Sequence, residues 1–396
     1  MKKTATLFVI SLISLSIFGQ TESEIVTKAN DLIAHKKYES AYKELDSFDP
    51  KNEKPDIVLL KEDLALNYFV TSMEHQMFAF KDLEMNESIE DYRGKQGSSS
   101  MHSFPANEIL EKLLTEYPDN YKLNKGLGDF YYDALQRYQG NWLKPDSTLS
   151  RLIVKNYQTA IHHHLGDYAV YYKVGLELLE QKKYKESISY FLESIKLKND
   201  HADAHYNLAY AYLFNDDQKN ALKYARNAYD MYQDKSNKVD AARMTGQIYT
   251  EMKDDKNAIV YYEIANNLNP DNYYNLHPLL DLYVKTKNTK EKETLNSFYN
   301  LAPDKPTIYN NLADIYLESS KANELIEFYL SKLSQFETDK KVSGNLHFYL
   351  GKLYLNSDKG KAKEHLTEAK TAFSGVYAKN NDVFKSIDLL LKEASK

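Results

Sequence analysis

The chain has 396 residues, a formal net charge of −6 and no cysteine. The acidic balance argues against a nucleic-acid partner, whose phosphates demand a concentrated basic face, and the missing cysteine excludes disulfides and cysteine-anchored lipidation. Only 13 Gly and 9 Pro stand against 34 Tyr and 16 Phe. That ratio disfavours a turn-rich β protein and suits helices in which tyrosine packs its ring and keeps its hydroxyl at a wet edge.

In chain order, Lys2 and Lys3 precede an uncharged run from Thr4 to Thr21 whose apolar heart is Leu7 to Phe18. A charged start, an apolar stretch and a small residue at Gly19 form the pattern of a secretory signal peptide, residues 1–19. An uncleaved membrane anchor is the alternative, disfavoured by Ser11, Ser14 and Ser16 and by the short core. No later segment approaches the roughly 18 apolar residues of a membrane helix. The mature chain is therefore expected to be exported, periplasmic or secreted, soluble, and not a lipoprotein. Residues 20–93 read as an N-terminal helical region holding one divergent unit, marked by Tyr38, Ala41 and Leu45. Gly94 to Pro105 is the strongest loop signal, a hinge or a binding loop. Residues 106–166 read as a second divergent unit. Leu127-Gly128 and Tyr131 open it, Ile153, Tyr157 and Ala160 return, and an insertion at 139–150 carries Trp142 and Pro145.

Residues 167–378 repeat. Leu208-Ala209, Tyr212, Ala221, Ala225 and Ala228 are matched upstream by Val174-Gly175, Leu178, Ser187, Phe191 and Ser194. Downstream they are matched by Thr245-Gly246, Tyr249, Ala258, Tyr262, Ala265 and Pro270. The small slot falls at Gly128, Gly175, Ala209, Gly246, Leu280, Ala313 and Gly351, in steps of 47, 34, 37, 34, 33 and 38 residues. A small residue lets two helices cross closely, which is why it recurs with the period of a helix pair. Residues 273–301 are degenerate: Leu280 fills the small slot and Pro278 sits within the expected first helix. Either local packing differs there or the helix starts late. Residues 379–396 read as a capping helix with Val383, Ile387, Leu390 and Leu391 on one face.

On these slots, residues 121–378 resemble the tetratricopeptide repeat family, with a weaker echo at 24–50. The resemblance implies an all-α fold, a right-handed α-solenoid of antiparallel helix pairs with a C-terminal capping helix. It also implies a non-catalytic scaffold that binds protein segments or peptides in the concave groove lined by the first helix of each pair. On that groove it puts Tyr172, Lys173, Leu176, Tyr206, Asn207, Tyr210, Arg243, Gln247, His277, Asn310, Asn311 and Asp314. Asn207 and Asn311 occupy the slot where family members grip the backbone of an extended peptide. A carboxylate clamp is not implied, because Leu176, Asp203 and Asp240 stand where polar or basic groups would be needed. The ending Phe18-Gly19-Gln20 is similar to signal peptides of the Bacteroidetes. That keeps open a structural role in an outer-membrane, secretion or gliding assembly, acting through convex surfaces and the insertion.

Chemistry finds little support. His162, His163 and His164 point about 100° apart on a helix and do not converge on one metal, so no metal or other cofactor is expected. Glutamate–serine pairs, as in lytic transglycosylases with helical superhelices, occur at Glu39-Ser40, Glu87-Ser88, Glu186-Ser187, Glu193-Ser194 and Glu318-Ser319. Ser187 and Ser194 fill small packing slots and no catalytic domain follows, which disfavours a periplasmic cell-wall enzyme.

Overall fold

A computed structural model of the chain describes residues 20–95, 100–138, 140 and 142–396; the expected signal segment 1–19 lies outside them. In class the chain is all-α, with nineteen helices and three short strands among the described residues. It divides into two compact units, one ending at Leu197 and the other beginning at Lys198.

The first unit holds α1 (Glu22–Ala34), α2 (Tyr38–Phe48), α3 (Pro55–Asn67), strands β1 (Thr71–Met73), β2 (Met77–Ala79) and β3 (Met101–Ser103), then α4 (Ala106–Glu116), α5 (Tyr121–Arg137), α6 (Asp146–His162), α7 (Tyr168–Glu180) and α8 (Tyr184–Leu197). The second holds α9 (Ala202–Leu213), α10 (Gln218–Met231), α11 (Lys235–Glu251), α12 (Asp255–Leu268), α13 (Tyr273–Thr286), α14 (Glu291–Asn300), α15 (Pro306–Glu318), α16 (Ala322–Leu333), α17 (Lys340–Tyr354), α18 (Lys359–Ser374) and α19 (Asp382–Ala394). Odd-numbered helices up to α17 open a pair, and the even-numbered helix that follows returns. In α19, Ile387 is buried against Leu366, Ala369 and Phe373 of α18.

Close crossing explains the small slots. A Cβ added at Gly128 would lie 2.6 Å from the Tyr157 ring, one at Gly175 2.7 Å from Phe191, and one at Gly246 3.0 Å from Tyr262. In each pair the ring of the return helix occupies the space that the first helix leaves vacant. Ser194 fills the same role by reaching back, its Oγ donating to the Tyr168 carbonyl at 2.8 Å. Tyrosine satisfies itself at the edges: Tyr283 donates to Glu263 at 2.5 Å, Tyr316 to Glu291 at 3.0 Å and Tyr309 to the Pro303 carbonyl at 2.9 Å. Each ring is thereby buried without stranding its hydroxyl.

The turn inside several of the pairs carries a second period that glycine content does not reveal. Lys182, Asp216, Lys253, Lys287 and Ser320 all adopt left-handed backbone, with φ between 56° and 60°. The amide after each donates five residues back, from Lys183 to Leu178, Asp217 to Tyr212, Asp254 to Tyr249, Asn288 to Tyr283 and Lys321 to Tyr316. This is a Schellman stop built on non-glycine residues. Asp217 and Asp254 then cap the return helix, accepting from the amides of Asn220 and Asn257, so one short turn ends one helix and starts the next.

Within the expected segments the secondary structure is as follows. The helical reading of 20–93 stops at Asn67, and the loop assigned to 94–105 contains β3. β1 pairs antiparallel with β2, and β2 with β3. The residues from Phe69 to Phe80 are rich in aromatic and β-branched types, which suit a pleated surface. Glu74 and His75, with φ 46° and 54°, supply the tight turn. The sheet buries Phe78 and Phe80, the latter stacked 4.8 Å from Tyr42 of α2. The stretch 106–166 holds three helices: α4 packs on both α3 and α5, while α5 pairs with α6. The insertion assigned to 139–150 ends earlier, because α6 begins at Asp146 behind Pro145. The 167–378 array is itself divided at Leu197. Finally, α13 does not start late; it runs through Pro278, and the Tyr274 carbonyl four residues back is left without that amide donor.

Gly175→Leu should drive a side chain into the Phe191 ring and destabilise the chain by about 1–3 kcal/mol, read as a lower urea midpoint. Lys253→Gly should do the opposite. Relief of the left-handed strain outweighs the entropy that glycine adds to the unfolded chain, for a gain of about 0.5–1 kcal/mol in the same titration.

Candidate functional site

In the second unit, three successive first helices contribute polar and aromatic residues to one open cleft. Tyr206, Tyr210, Leu213 and Phe214 follow helical spacing on α9, and Asp240, Arg243, Met244 and Gln247 do so on α11. With Tyr262, Tyr274 and Pro278 they line an open cleft of about 420 Å³. Tyr274 is 66% exposed and Phe214 46%, although both are large apolar surfaces. Tyr210 and Phe214 lie with ring centroids 4.4 Å apart. Arg243 reaches Asp240 at 2.6 Å, and its guanidinium sits 5.5 Å from the Tyr274 ring. The cleft offers flat apolar walls and one oriented planar cation.

Of the residues expected on the groove, Tyr206, Tyr210, Arg243 and Gln247 come together here. Asn207 lies outside this lining, its Nδ2 donating to the Asp203 carbonyl at 3.0 Å. Asn310, Asn311 and Asp314 belong to α15 and do not line the cleft either. Asn310 accepts from Tyr349 at 2.8 Å, and Asn311 donates to the Tyr273 hydroxyl at 2.8 Å. Burial holds His277 below its ordinary pKa, with Asp281 and Asp314 opposing. The expected backbone-gripping donors of Asn207 and Asn311 are thus engaged within the protein. Tyr172 and Lys173 lie in the first unit, where Tyr172 packs 5.9 Å from the Phe191 ring.

Lys173 belongs to a second pocket, which the sequence reading missed. In the first unit, α3, α5 and α7 line a cavity of about 610 Å³ that includes Glu62, Asp63, Lys125, Gly126, Asp129, Tyr132, Asp133, Asp167, Val170 and Lys173. Asp129 is its hub: Lys173 approaches at 2.8 Å, Lys125 at 3.0 Å, and the Tyr157 hydroxyl donates at 2.8 Å. Burial alone would push the Asp129 carboxyl up, but the two lysines hold it below the usual range. Glu62 is only 3% exposed, and its Oε1 is buried with no hydrogen-bond partner. Burial, and then the Asp129 charge, push its carboxyl well above the ordinary value. Asp63 is also raised, chiefly by burial. A sign of the pocket is present in the sequence: Lys61-Glu62-Asp63 interrupts the apolar run Ile57 to Leu66 in mid-helix. Lys61 proves structural, donating to Asp46 at 2.8 Å, the Asp49 carbonyl at 2.8 Å and Asn52 at 2.7 Å.

His162, His163 and His164 end α6. His163 stacks on Tyr121, and His162 meets His163 at an interplanar angle of 86°. Among the described residues no grouping of three or more His, Cys, Asp or Glu could hold a metal ion.

The tetratricopeptide repeat family matches residues 168–201, 202–235 and 244–272, so this stretch carries tetratricopeptide repeats. No curated protein matches the chain in sequence. Similar solved structures include a tetratricopeptide repeat protein from Parabacteroides merdae, with 17% identity over 69% of this chain and 99% of that one and a TM-score of 0.42. MamA from Desulfovibrio magneticus has 17% identity over 46% and 93%, with a TM-score of 0.37. YrrB, described as a TPR protein with an unusual peptide-binding site, has 14% identity over 61% and 98%, with a TM-score of 0.34. At such low identity and overlap, the repeat assignment rests on the family match and on the helix pairs themselves.

Glu62 makes stability depend on pH in a definite direction. Its folded pKa is raised above 4.5, so its contribution is fully present below that value and is lost as pH rises through the folded pKa. Glu62→Gln, which keeps shape and burial but cannot ionise, should melt higher than wild type at pH 8. The difference should close at pH 4, as differential scanning calorimetry at the two pH values would show.

Proposed function

We propose that the chain is a non-catalytic scaffold that holds protein segments on its first-helix faces. The carrying observation is the second-unit cleft, where exposed Tyr274, Phe214 and Tyr210 surround Arg243 on consecutive first helices. Tyrosine and arginine are the residue types in which binding energy concentrates at interfaces, because they combine large contact area with few rotatable bonds or with planar hydrogen bonding. Exposed aromatic walls cost solubility unless something covers them. An extended segment fits an open cleft, and the guanidinium, already oriented by Asp240, can meet a backbone carbonyl or an acidic side chain without further ordering.

The same reading has the chain exported, periplasmic or secreted, and soluble. It is supported by the charged start and apolar run in residues 1–19 and by the lack of cysteine for lipid attachment. Among the described residues no helix is long and apolar enough to cross a membrane. Sequencing the amino terminus of the chain recovered from fractionated cells should find Gln20 first, outside the cytoplasm.

Arg243→Ala combined with Tyr274→Ala should weaken capture of co-purifying protein segments by roughly 30-fold or more, the loss of a binding hot spot. Tyr274 is exposed and Arg243 is partly exposed, its ion pair with Asp240 lying at the surface, so the melting temperature should move little. Capture of the same segments at unchanged strength by a normally melting double mutant would refute the cleft assignment.

A further inference from the structure

The first-unit pocket is built differently from the aromatic cleft, and its charges do not balance locally. Asp129 is shared by Lys125 and Lys173. Lys122 reaches away to Asp56 at 3.1 Å. Asp133 is engaged by Arg137 at 2.8 Å and stands 2.8 Å from His75. Asp167 caps α7 by accepting from the Val170 amide, although Lys125 also lies 3.8 Å from it. Among the described residues, two acids on the lining then have no ion pair, although Lys125 faces both of them. Asp63 accepts only from the neutral amide of Asn67, at 2.7 Å. Glu62 is buried with Oε1 wholly unpartnered.

The room for Glu62 is made by the neighbouring helix. A Cβ at Gly126 would stand 2.4 Å from Glu62 Oε2, so α5 lacks a side chain where the carboxyl lies. A polar atom buried without a partner is uncommon, and it points to a group not present. We propose that this pocket seats one basic side chain, a lysine or arginine, presented by a protein segment lying across α3, α5 and α7. An anion would meet Glu62, Asp63 and Asp129 together. A bare divalent cation would find too few oxygen ligands, since no grouping of three among the described residues could hold it. A basic side chain satisfies both halves of the lining. Its charged end replaces the missing partner of Glu62 and Asp63, and its aliphatic stem lies along Leu59, Val170 and Tyr132.

Seating the cation ionises Glu62, and the carboxyl proton leaves to solvent. Binding should therefore strengthen as pH rises. The charged groups facing Glu62 are Asp63 on its own helix, Lys125 and Asp129 from α5, and Lys173 from α7. Burial would lower the Lys125 pKa, but Asp129 beside it raises it, and the two lysines in turn hold the Asp129 carboxyl below its ordinary value. Glu62 and, secondarily, Asp63 are thus the groups that change.

The proposal rests on the segment-binding reading for the source of the cation, and the test separates the two. The full chain is applied to an array of nine-residue peptides with randomised flanks and a central arginine, lysine, citrulline, norleucine or glutamate. Arginine and lysine peptides should be enriched over citrulline and norleucine by about tenfold, as for an added charge pair. The affinity of the best peptide should rise by up to about tenfold per pH unit while Glu62 is protonated in the free chain. Glu62→Gln should abolish both the enrichment and the pH slope. Asp63→Asn, tested in parallel, should reduce the enrichment and keep the slope. Peptides bound without regard to the central charge would overturn this pocket's role while leaving segment binding intact. Enrichment that survives Glu62→Gln, or a preference for glutamate, would overturn it directly. Agmatine binding with no enrichment on the array would replace the segment by a free small cation and overturn the proposal.

Discussion

The clean repeats depend on two helices crossing where one of them lacks a side chain. At Gly128, Gly175 and Gly246 the ring of the return helix enters the vacancy at van der Waals contact with the backbone. The contact does two things at once. It fixes the register of the pair, because only one turn of the first helix can accept the ring, and it brings the helix axes close enough for the turn between them to be short. The short turn in turn forces a left-handed residue at Lys182, Asp216 and Lys253. With the core side of each first helix committed to this contact, its other side is free to vary, and both candidate sites lie there.

The two units use that freedom differently. The second keeps short turns and presents Tyr210, Phe214, Arg243 and Tyr274 in an open cleft. The first admits a three-stranded sheet between α3 and α4, whose Phe78 and Phe80 pack among Tyr42, Phe69 and His75. His75, in the hairpin turn, lies fully buried 5.2 Å from the Phe130 ring and 2.8 Å from Asp133. The sheet therefore reaches α5 beside Asp133, one of the acids on the charged pocket.

The repeat beat is legible in sequence because a vacancy and its ring recur at fixed spacing, and neither tolerates exchange without overlap or a void. The turns are not legible in the same way. Their left-handed residue is Lys, Asp or Ser, since the Schellman hydrogen bonds and the aspartate cap over-determine the backbone and remove the need for glycine. The sheet is hidden for another reason: Phe69 to Phe80 is short, and its apolar residues suit a buried helix as well as a strand. Of the site, Tyr206, Tyr210, Arg243 and Gln247 can be found by counting around a first helix. Asn207 and Asn311 can be counted too, but periodicity cannot show that their amides are already engaged. Glu62 and Asp63 announce themselves only as charges inside an apolar run, a sign they share with Lys61, whose role is purely structural.

That comparison carries the functional argument furthest. Lys61 and Glu62 are neighbours on one helix, both buried, and Lys61 has three oxygen acceptors within 2.8 Å while Glu62 Oε1 has no donor. A fold optimised only for stability would treat the two alike, since a buried group without its partner costs about 1–3 kcal/mol and more when it must ionise. Glutamine at position 62 would occupy the same space without the charge. Instead, a carboxyl stands against Asp129 with Gly126 withdrawn to admit it, so the pocket holds its acid at a cost to the fold. The cleft in the second unit has the complementary character: its cation is already matched by Asp240, and what it exposes is apolar ring. The first-unit pocket is thus short of a positive charge, whereas the second-unit cleft is short of apolar cover.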